Sequence, residues 1–140
     1  MLDNFFLIRE VSKYLDKEIT GYIIKEIFTQ EKEKLVISLF HPQSNEKKYL
    51  EFSCDSKLPY LFLKSDYAKA RKNVMNLLAG LYKQGINRVE IFNDDRIIKF
   101  ELAENLSIFF VFFKTKNNLF VTANDEIIDE FKSKKEYLQK

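Results

Sequence analysis

The chain has 140 residues, the usual size of a single globular domain. Hydrophobic residues make up 46% of it and charged residues 31%, a balance that argues against an intrinsically disordered chain. Because 23 Lys and Arg stand against 21 Asp and Glu, the net charge of +2 does not by itself indicate a nucleic-acid-binding protein. One cysteine and one histidine exclude an internal disulfide, a cysteine zinc cluster and a histidine-rich metal site.

The sequence gives no sign of export or of membrane insertion. Its longest apolar run, Leu106–Phe113, is much shorter than the about 20 residues that span a bilayer. The first residues lack the basic start and small-residue cleavage site of a signal peptide. Together with the single Cys54, these features predict a cytoplasmic protein with no membrane partner.

The first half of the chain predicts one helix followed by strands. Apolar residues recur at helical spacing from Leu2 to Leu15, and Asp3 or Asn4 is suited to cap this helix. The pattern then changes to the short β-branched and aromatic segments that are typical of strands, at residues 22–28, 35–40 and 48–53. Segment 58–63 contains Pro59, so we expect an edge strand or irregular structure there.

The second half predicts a helix, four strands and a last helix. Ser65 is the expected cap of a helix over about Tyr67–Leu81, with Val74, Leu77, Leu78 and Leu81 on its buried stripe. Short turns rich in Asn and Asp then separate four strands, at residues 88–92, 96–102, 106–113 and 118–122. A charged helix is expected over Asn124–Gln139.

This order of elements predicts an α+β fold in one domain over residues 1–140. Strands joined by short turns favour antiparallel sheets rather than alternating strand and helix units. We therefore expect two small antiparallel sheets, or one curled sheet, with helices on the flanks.

Standard catalytic motifs are missing from the sequence. It contains no glycine-rich phosphate loop, no GxSxG and no HExxH. Cys54 and His41 are a conceivable nucleophile pair, but no third group that would orient them is evident. Asp94 and Asp95 could ligate a metal, although neighbouring carboxylates on a turn are more often simply solvated. We therefore predict a non-enzymatic protein without a cofactor or metal.

The most informative segment is Ile91–Phe100, where Asp95 and Arg96 stand between a turn and an apolar strand. An arginine in this position can hold a phosphate or stack on a base. The aspartate beside it can fix the guanidinium or accept a hydrogen bond from a ribose hydroxyl. The alternative is a plain turn with an exposed salt bridge worth at most ~1 kcal/mol. The residues alone favour this alternative.

The segments Gly21–Phe28, Ala70–Asn73, Asp95–Phe100, Asn118–Val121 and Ile127–Lys132 carry a family resemblance. With them the chain resembles the N-terminal part of the NFACT family. This family comprises bacterial fibronectin-binding protein A-like proteins and eukaryotic nuclear export mediator factor. It includes ribosome-associated quality control factors that bind the large ribosomal subunit and recruit tRNA. The segment that begins with Asp95 and Arg96 is the most specific of the five.

The resemblance implies a non-enzymatic RNA-binding module whose partners are tRNA and the large ribosomal subunit. Asp95 and Arg96 match the family's Asp-Arg motif, which serves tRNA binding. Arg71 and Lys72 fall where the family has a basic helix start, but Asn73 replaces the histidine that follows there. Family members are longer, so the resemblance also implies that this chain is the first lobe of a multidomain protein. Whether the isolated lobe forms a homo-oligomer is left open.

The family's N-terminal region is similar in fold to the N-terminal domain of formamidopyrimidine-DNA glycosylases. Those enzymes attack the sugar with a proline at position 2, followed by glutamate. Here Leu2 and Asp3 occupy these positions, so glycosylase activity is not expected. Two alternatives remain open. The chain can be a protein-interaction module, fibronectin-binding or adhesin-like, that exposes an Ile- and Phe-rich patch, or an unrelated α+β domain with an accidental Asp-Arg turn.

Overall fold

The computed structural model describes residues 4–70 and 74–132. Over these ranges the protein contains one α-helix and ten strands in two antiparallel five-stranded sheets, which confirms the predicted α+β fold with two small sheets. The helix is α1 (Phe5–Ile19), and the strands are β1 (Ile23–Thr29), β2 (Lys34–Phe40), β3 (Lys47–Ser53), β4 (Tyr60–Lys64), β5 (Met75–Asn76), β6 (Ile86–Ile91), β7 (Ile97–Leu102), β8 (Leu106–Val111), β9 (Asn118–Ala123) and β10 (Glu126–Glu130).

The strand order follows the chain almost without interruption. The first sheet has the order β4-β3-β2-β1-β5 and the second has the order β10-β9-β8-β7-β6. The eight strands that the sequence predicts are confirmed with bounds that agree within two residues. Pro59 directly precedes β4, which is an edge strand as expected, because proline cannot donate to a neighbouring strand. Within residues 4–70 and 74–132, no helix has the length and apolar character needed to cross a membrane.

The two sheets are joined by backbone hydrogen bonds where β1 begins. The amide of Gly21 donates to the carbonyl of Ile86 at 2.8 Å, and the amide of Ile86 donates to the carbonyl of Tyr22 at 2.9 Å. The amide of Ile24 donates to the carbonyl of Gln84 at 2.9 Å. The start of β1 therefore fixes the start of β6 and, with it, the edge of the second sheet.

Helix α1 packs beside this edge. Its cap is Asn4, whose side-chain Oδ1 accepts a hydrogen bond from the amide of Leu7 at 3.0 Å, as the sequence predicts. The helix buries residues three or four positions apart, which are Ile8, Ser12, Leu15 and Ile19. Asp16 accepts a hydrogen bond from the amide of Val89 at 2.8 Å, so the helix also satisfies a backbone donor on the edge strand β6.

The inner faces of both sheets share one hydrophobic core. Its centre is a group of phenylalanines from the two sheets. The ring of Phe52 on β3 lies 5.2 Å from that of Phe110 and 5.8 Å from that of Phe112, and the rings of Phe110 and Phe100 are 4.8 Å apart. All four side chains are at most 1% exposed. These edge-to-face and tilted contacts hold the sheets together.

The helix predicted over Tyr67–Leu81 is wrong. Residues 66–70 have no regular secondary structure, Met75–Asn76 form strand β5 against β1, and only Ala79–Leu81 make a short 3-10 turn. The expected cap Ser65 lies in a bend. Residues 71–73 lie outside the described part of the chain.

Contacts with the first sheet explain why this segment is not helical. Tyr67 packs its ring 5.9 Å from that of Phe28, and the side chain of Gln30 accepts a hydrogen bond from the amide of Ala70 at 2.8 Å. Leu78 has a left-handed backbone with φ 51°, which a continuing helix cannot contain. Leu77, Leu78 and Leu81 are buried as expected, but they reach the core from an irregular segment.

The helix predicted over Asn124–Gln139 is also wrong where the structure describes it. Asn124 and Asp125 have φ values of 52° and 66° and form a tight turn that sends the chain back as β10, paired with β9. Ile127 and Ile128 are 63% and 59% exposed, so they are not the buried stripe of a helix. Residues 133–139 of this prediction lie outside the described residues.

The contact between the sheets leads to a stability prediction. Because Phe110 is fully buried against Phe52 and Phe100, we expect Phe110→Ala to lower the free energy of unfolding by roughly 3–5 kcal/mol. The measurement is urea denaturation followed by circular dichroism. Phe62→Ala is the matched control: Phe62 is 57% exposed on β4, so its loss should change the stability by only about 0.5 kcal/mol. Equal losses for the two variants would contradict the placement of the core.

Candidate nucleic-acid interface

Asp95 and Arg96 lie in the loop that joins β6 to β7. Its two tip residues, Asn93 and Asp94, have left-handed backbones with φ values of 55° and 49°, and the amide of Asp95 donates to the carbonyl of Phe92 at 3.2 Å. These values indicate a type I′ turn, the kind that fits the twist of antiparallel strands. Asn and Asp tolerate this conformation better than most side chains, so Asp94 serves the turn itself.

The carboxylate of Asp95 stabilises the end of this turn. Its Oδ1 accepts a hydrogen bond from the backbone amide of Arg96 at 2.7 Å, and its carbonyl accepts one from the amide of Ile97 at 2.8 Å. The structure thus pairs the carboxylate with the main chain of Arg96 rather than with the guanidinium. Asp95 is exposed, and the hydrogen bond of its carboxylate to the turn uses only Oδ1.

The side chain of Arg96 lies over an aromatic ring at the end of the second sheet. Its Cζ atom is 5.4 Å from the centroid of Phe113, and its carbonyl accepts a hydrogen bond from the amide of Phe112 at 3.0 Å. A guanidinium stacked on a ring keeps its N–H groups at the edge, where they are able to donate. In the part of the chain that the structure describes, no carboxylate forms an ion pair with Arg96.

Two further cations follow Phe113 directly. Lys114 and Lys116 lie in the short 3-10 turn between β8 and β9, and both are exposed. Neither has a carboxylate partner among the ion pairs of residues 4–70 and 74–132. Arg96, Lys114 and Lys116 therefore supply positive charge at the same end of the sheet as Asp94 and Asp95, which offset part of it.

The outer face of the second sheet continues this surface with a cation and aromatic rings. Lys99 on β7 is the cross-strand neighbour of Phe109 on β8, which in turn faces Phe120 on β9. The Nζ atom of Lys99 is 5.9 Å from the ring centroids of both Phe92 and Phe109, which lie 4.9 Å apart at 80°. We call this group the aromatic row (Phe92, Lys99, Phe109 and Phe120); its residues are separated along the chain, so no local sequence pattern indicates it.

The other residues singled out from the sequence are not brought into this surface. Arg71 and Lys72 lie outside the described residues. Cys54 is buried, and desolvation raises the pKa of its thiol to about 11, which disfavours the nucleophilic thiolate. The Nδ1 atom of His41 accepts hydrogen bonds from the amides of Gln43 and Ser44 at 3.2 and 3.3 Å, as a loop residue does. Over the described ranges, no group of three or more His, Cys, Asp and Glu is arranged to hold a metal.

A second group of charges, on the first sheet, serves the fold. The buried carboxylate of Glu51 accepts a hydrogen bond from the hydroxyl of Tyr60 and lies 3.5 Å from the Nζ atom of Lys64. The pKa of Tyr60 is raised to about 12; burial is the largest cause, and the hydrogen bond to Glu51 is the second. Because these groups satisfy one another, they leave little capacity for a ligand.

Solved structures resemble this fold closely. The N-terminal domain of fibronectin-binding protein PavA from Streptococcus pneumoniae superposes with a TM-score of 0.76 at 13% identity, over 90% of this chain and 52% of that one. The N-terminal part of the fibronectin/fibrinogen-binding protein from Streptococcus suis gives 0.75 at 16% identity, over 90% and 51%. The fibrinogen-binding protein from Staphylococcus aureus gives 0.73 at 14% identity, over 93% and 50%.

The chain shares their fold. It spans about half the length of each of these solved structures. At this level of identity the likeness concerns the fold alone. No protein-family model and no curated protein matches the sequence.

The group around Glu51 leads to a pH prediction. The folded protein holds the Tyr60 proton up to a pKa of about 12, whereas an unfolded tyrosine loses it near a pKa of about 10. This contribution to stability is therefore fully present below about pH 10 and is lost as the pH rises toward 12. We expect the free energy of unfolding to fall more steeply with pH for the wild type than for Tyr60→Phe, as measured by urea denaturation at several pH values between 9 and 11. Parallel curves would contradict the raised pKa of Tyr60 in the folded protein.

Proposed function

We propose that this protein is the N-terminal lobe of an NFACT-type factor of ribosome-associated quality control, a non-enzymatic module that binds tRNA and the large ribosomal subunit. The observation that carries the proposal is the position of Arg96. Its guanidinium lies 5.4 Å from the ring of Phe113 at the end of the second sheet, without a carboxylate partner in the described part of the chain. Such a group can contact a phosphate or a base.

Cations that have no carboxylate partner within the described ranges are available to a polyanionic ligand at this end of the sheet. Elsewhere two lysines that contact the first sheet are neutralised by carboxylates, with Nζ–O distances of 3.0 Å for Lys69–Glu26 and 3.5 Å for Lys64–Glu51. The cations near the Asp-Arg turn, which are Arg96, Lys99, Lys114 and Lys116, lack such partners among the described residues. Phosphates are able to neutralise them on binding and release counterions.

The affinity of this lobe alone should be modest. The net charge is only +2, and few cations are available for phosphate contacts, so we expect dissociation constants on the order of 10⁻⁴–10⁻⁶ M, as for non-specific binding. In a full ribosomal complex, bond formation would be the work of the ribosome, and this lobe would contribute binding.

The fold likeness supports the NFACT interpretation indirectly. The sequence resembles the family of bacterial fibronectin-binding protein A-like proteins, and the structure shares its fold with N-terminal domains of fibronectin-binding proteins. The first comparison rests on short motifs such as Asp95–Phe100 and the second on backbone geometry. The ribosomal role belongs to the proposal.

We expect Arg96→Gln to weaken binding of total tRNA and to lower the slope of log K against log salt by about 0.7–0.9, the value of one phosphate contact. The measurement is fluorescence anisotropy with labelled tRNA at several salt concentrations. Arg88→Gln is the matched control, because Arg88 lies in the same sheet but its Nη1 atom is 3.4 Å from a carboxylate oxygen of Glu90. Equal effects of the two changes would reject Arg96 as the contact.

A protein partner is the second candidate function. The structures with this fold include proteins described as fibronectin- or fibrinogen-binding. The edge strand β10 exposes Ile127 and Ile128, which are 63% and 59% accessible. Exposed isoleucines at a sheet edge favour an apolar, extended partner.

Binding to immobilised fibronectin tests this second candidate. A fibronectin-binding module should bind at 50 mM and at 300 mM salt, keep its affinity in Arg96→Gln and lose most of it in Ile127→Lys, because a charge replaces an exposed apolar contact on β10. Surface plasmon resonance measures these affinities. Binding that excess tRNA displaces, or that Ile127→Lys leaves unchanged, would contradict this candidate.

A further inference from the structure

The aromatic row has a chemistry distinct from that of the Asp-Arg turn. Phe109 and Phe120 face one another across β8 and β9 on the outer face, and both are half-buried. Strand residues next to them, Phe110 and Leu119, point into the core and are fully buried. The rings of the row are thus dispensable for the contact between the sheets, and they remain partly accessible on the outside.

Lys99 lies over this row without an acidic partner in the described ranges. Its cross-strand neighbour on β6 is Glu90, whose carboxylate lies 3.4 Å from the Nη1 atom of Arg88. The ammonium group of Lys99 therefore rests near the rings of Phe92 and Phe109, at 5.9 Å from each centroid. A cation held only by rings on a solvated face is free to turn toward a phosphate.

We propose that the aromatic row binds the unpaired bases of a single-stranded RNA segment, with Lys99 at the adjacent phosphates. This inference rests on the proposed RNA-binding function and specifies the kind of RNA that the aromatic row binds. Bases in a duplex are stacked and cannot reach a flat sheet, whereas splayed bases stack on aromatic rings and leave their phosphates to cations. Phe92, the first residue of the turn that carries Arg96, makes the row continuous with the Asp-Arg turn.

The number of rings limits the length of this site. Phe92, Phe109 and Phe120 are the three rings of the row, and Phe109 and Phe120 lie on neighbouring strands. At roughly one base per ring, the row accommodates about two or three bases. The rings offer faces but few hydrogen-bonding groups, so the site should tolerate different base sequences.

The test compares three RNA probes. The two single-stranded probes carry the same phosphate charge and the duplex carries twice as much, so tighter binding of the intact single strand does not come from charge. They are a labelled 12-nucleotide single-stranded RNA of mixed sequence, the same RNA in a duplex, and a single strand with abasic sites at its central positions. With the full 140-residue chain, we expect the single strand to bind at least about fivefold more tightly than either of the others, because stacking is lost in both. Fluorescence anisotropy at one salt concentration gives the three affinities, and total tRNA is measured beside them.

Phe109→Leu removes the central ring and keeps an apolar side chain of similar size. We expect it to abolish the preference for the single strand over the abasic strand while the salt slope stays unchanged, since no cation is altered. Phe62→Leu is the matched control, a ring of β4 on the first sheet that is 57% exposed. It should leave the preference intact. Thermal denaturation of both variants establishes that they are folded.

The outcomes separate this inference from the function on which it rests. If tRNA binds with the expected dependence on Arg96 but the abasic strand binds as well as the intact one, the aromatic row does not take bases, and the proposed function stands. If Phe62→Leu and Phe109→Leu reduce the preference equally, the row is likewise rejected. If none of the RNA probes and no tRNA bind, the proposed function fails and this inference fails with it.

Discussion

The contact between Phe52 and the phenylalanines of the second sheet is the interaction on which the rest of the structure depends. It brings the inner faces of two five-stranded sheets into one core. Because strand residues alternate between faces, the same packing that places Phe100 and Phe110 inside places Lys99 and Phe109 outside. The register of β7 also fixes where the loop before it lies, and thus where Arg96 meets Phe113. The candidate interface is a consequence of how the core is filled.

The sequence predicted the strands well because their residues follow a local rule. In β7 the buried residues Ile98, Phe100 and Leu102 alternate with half-buried ones, and this pattern needs no knowledge of the partner. The helix predicted over Tyr67–Leu81 is wrong for a related reason. Its leucines at helical spacing reach the core from an irregular segment, and residues before them, Tyr67 and Ala70, contact Phe28 and Gln30 of the first sheet. Only tertiary contacts distinguish a buried helix from such a segment, since the spacing of the leucines fits both.

The candidate site was predictable only in part. The position of Asp95 and Arg96 after a turn is visible in the sequence, since Asn93 and Asp94 are typical of tight hairpins. The aromatic ring that Arg96 contacts is not visible in the sequence, because Phe113 belongs to a different strand connection, 17 positions away along the chain. The pairing of Lys99 with Phe109 likewise depends on the register between β7 and β8, which a shift of one residue would have reversed.

The alternation of faces also places two different constraints on the residues of one strand. Residues on the inner face must fill a shared core, whereas residues on the outer face contact only solvent or a ligand. Substitutions at every second position of the second sheet, on its outer face, can therefore accumulate without a change in the backbone. The solved structures with this fold, at 13–16% identity and TM-scores of 0.73–0.76, have a similar backbone arrangement built from largely different residues.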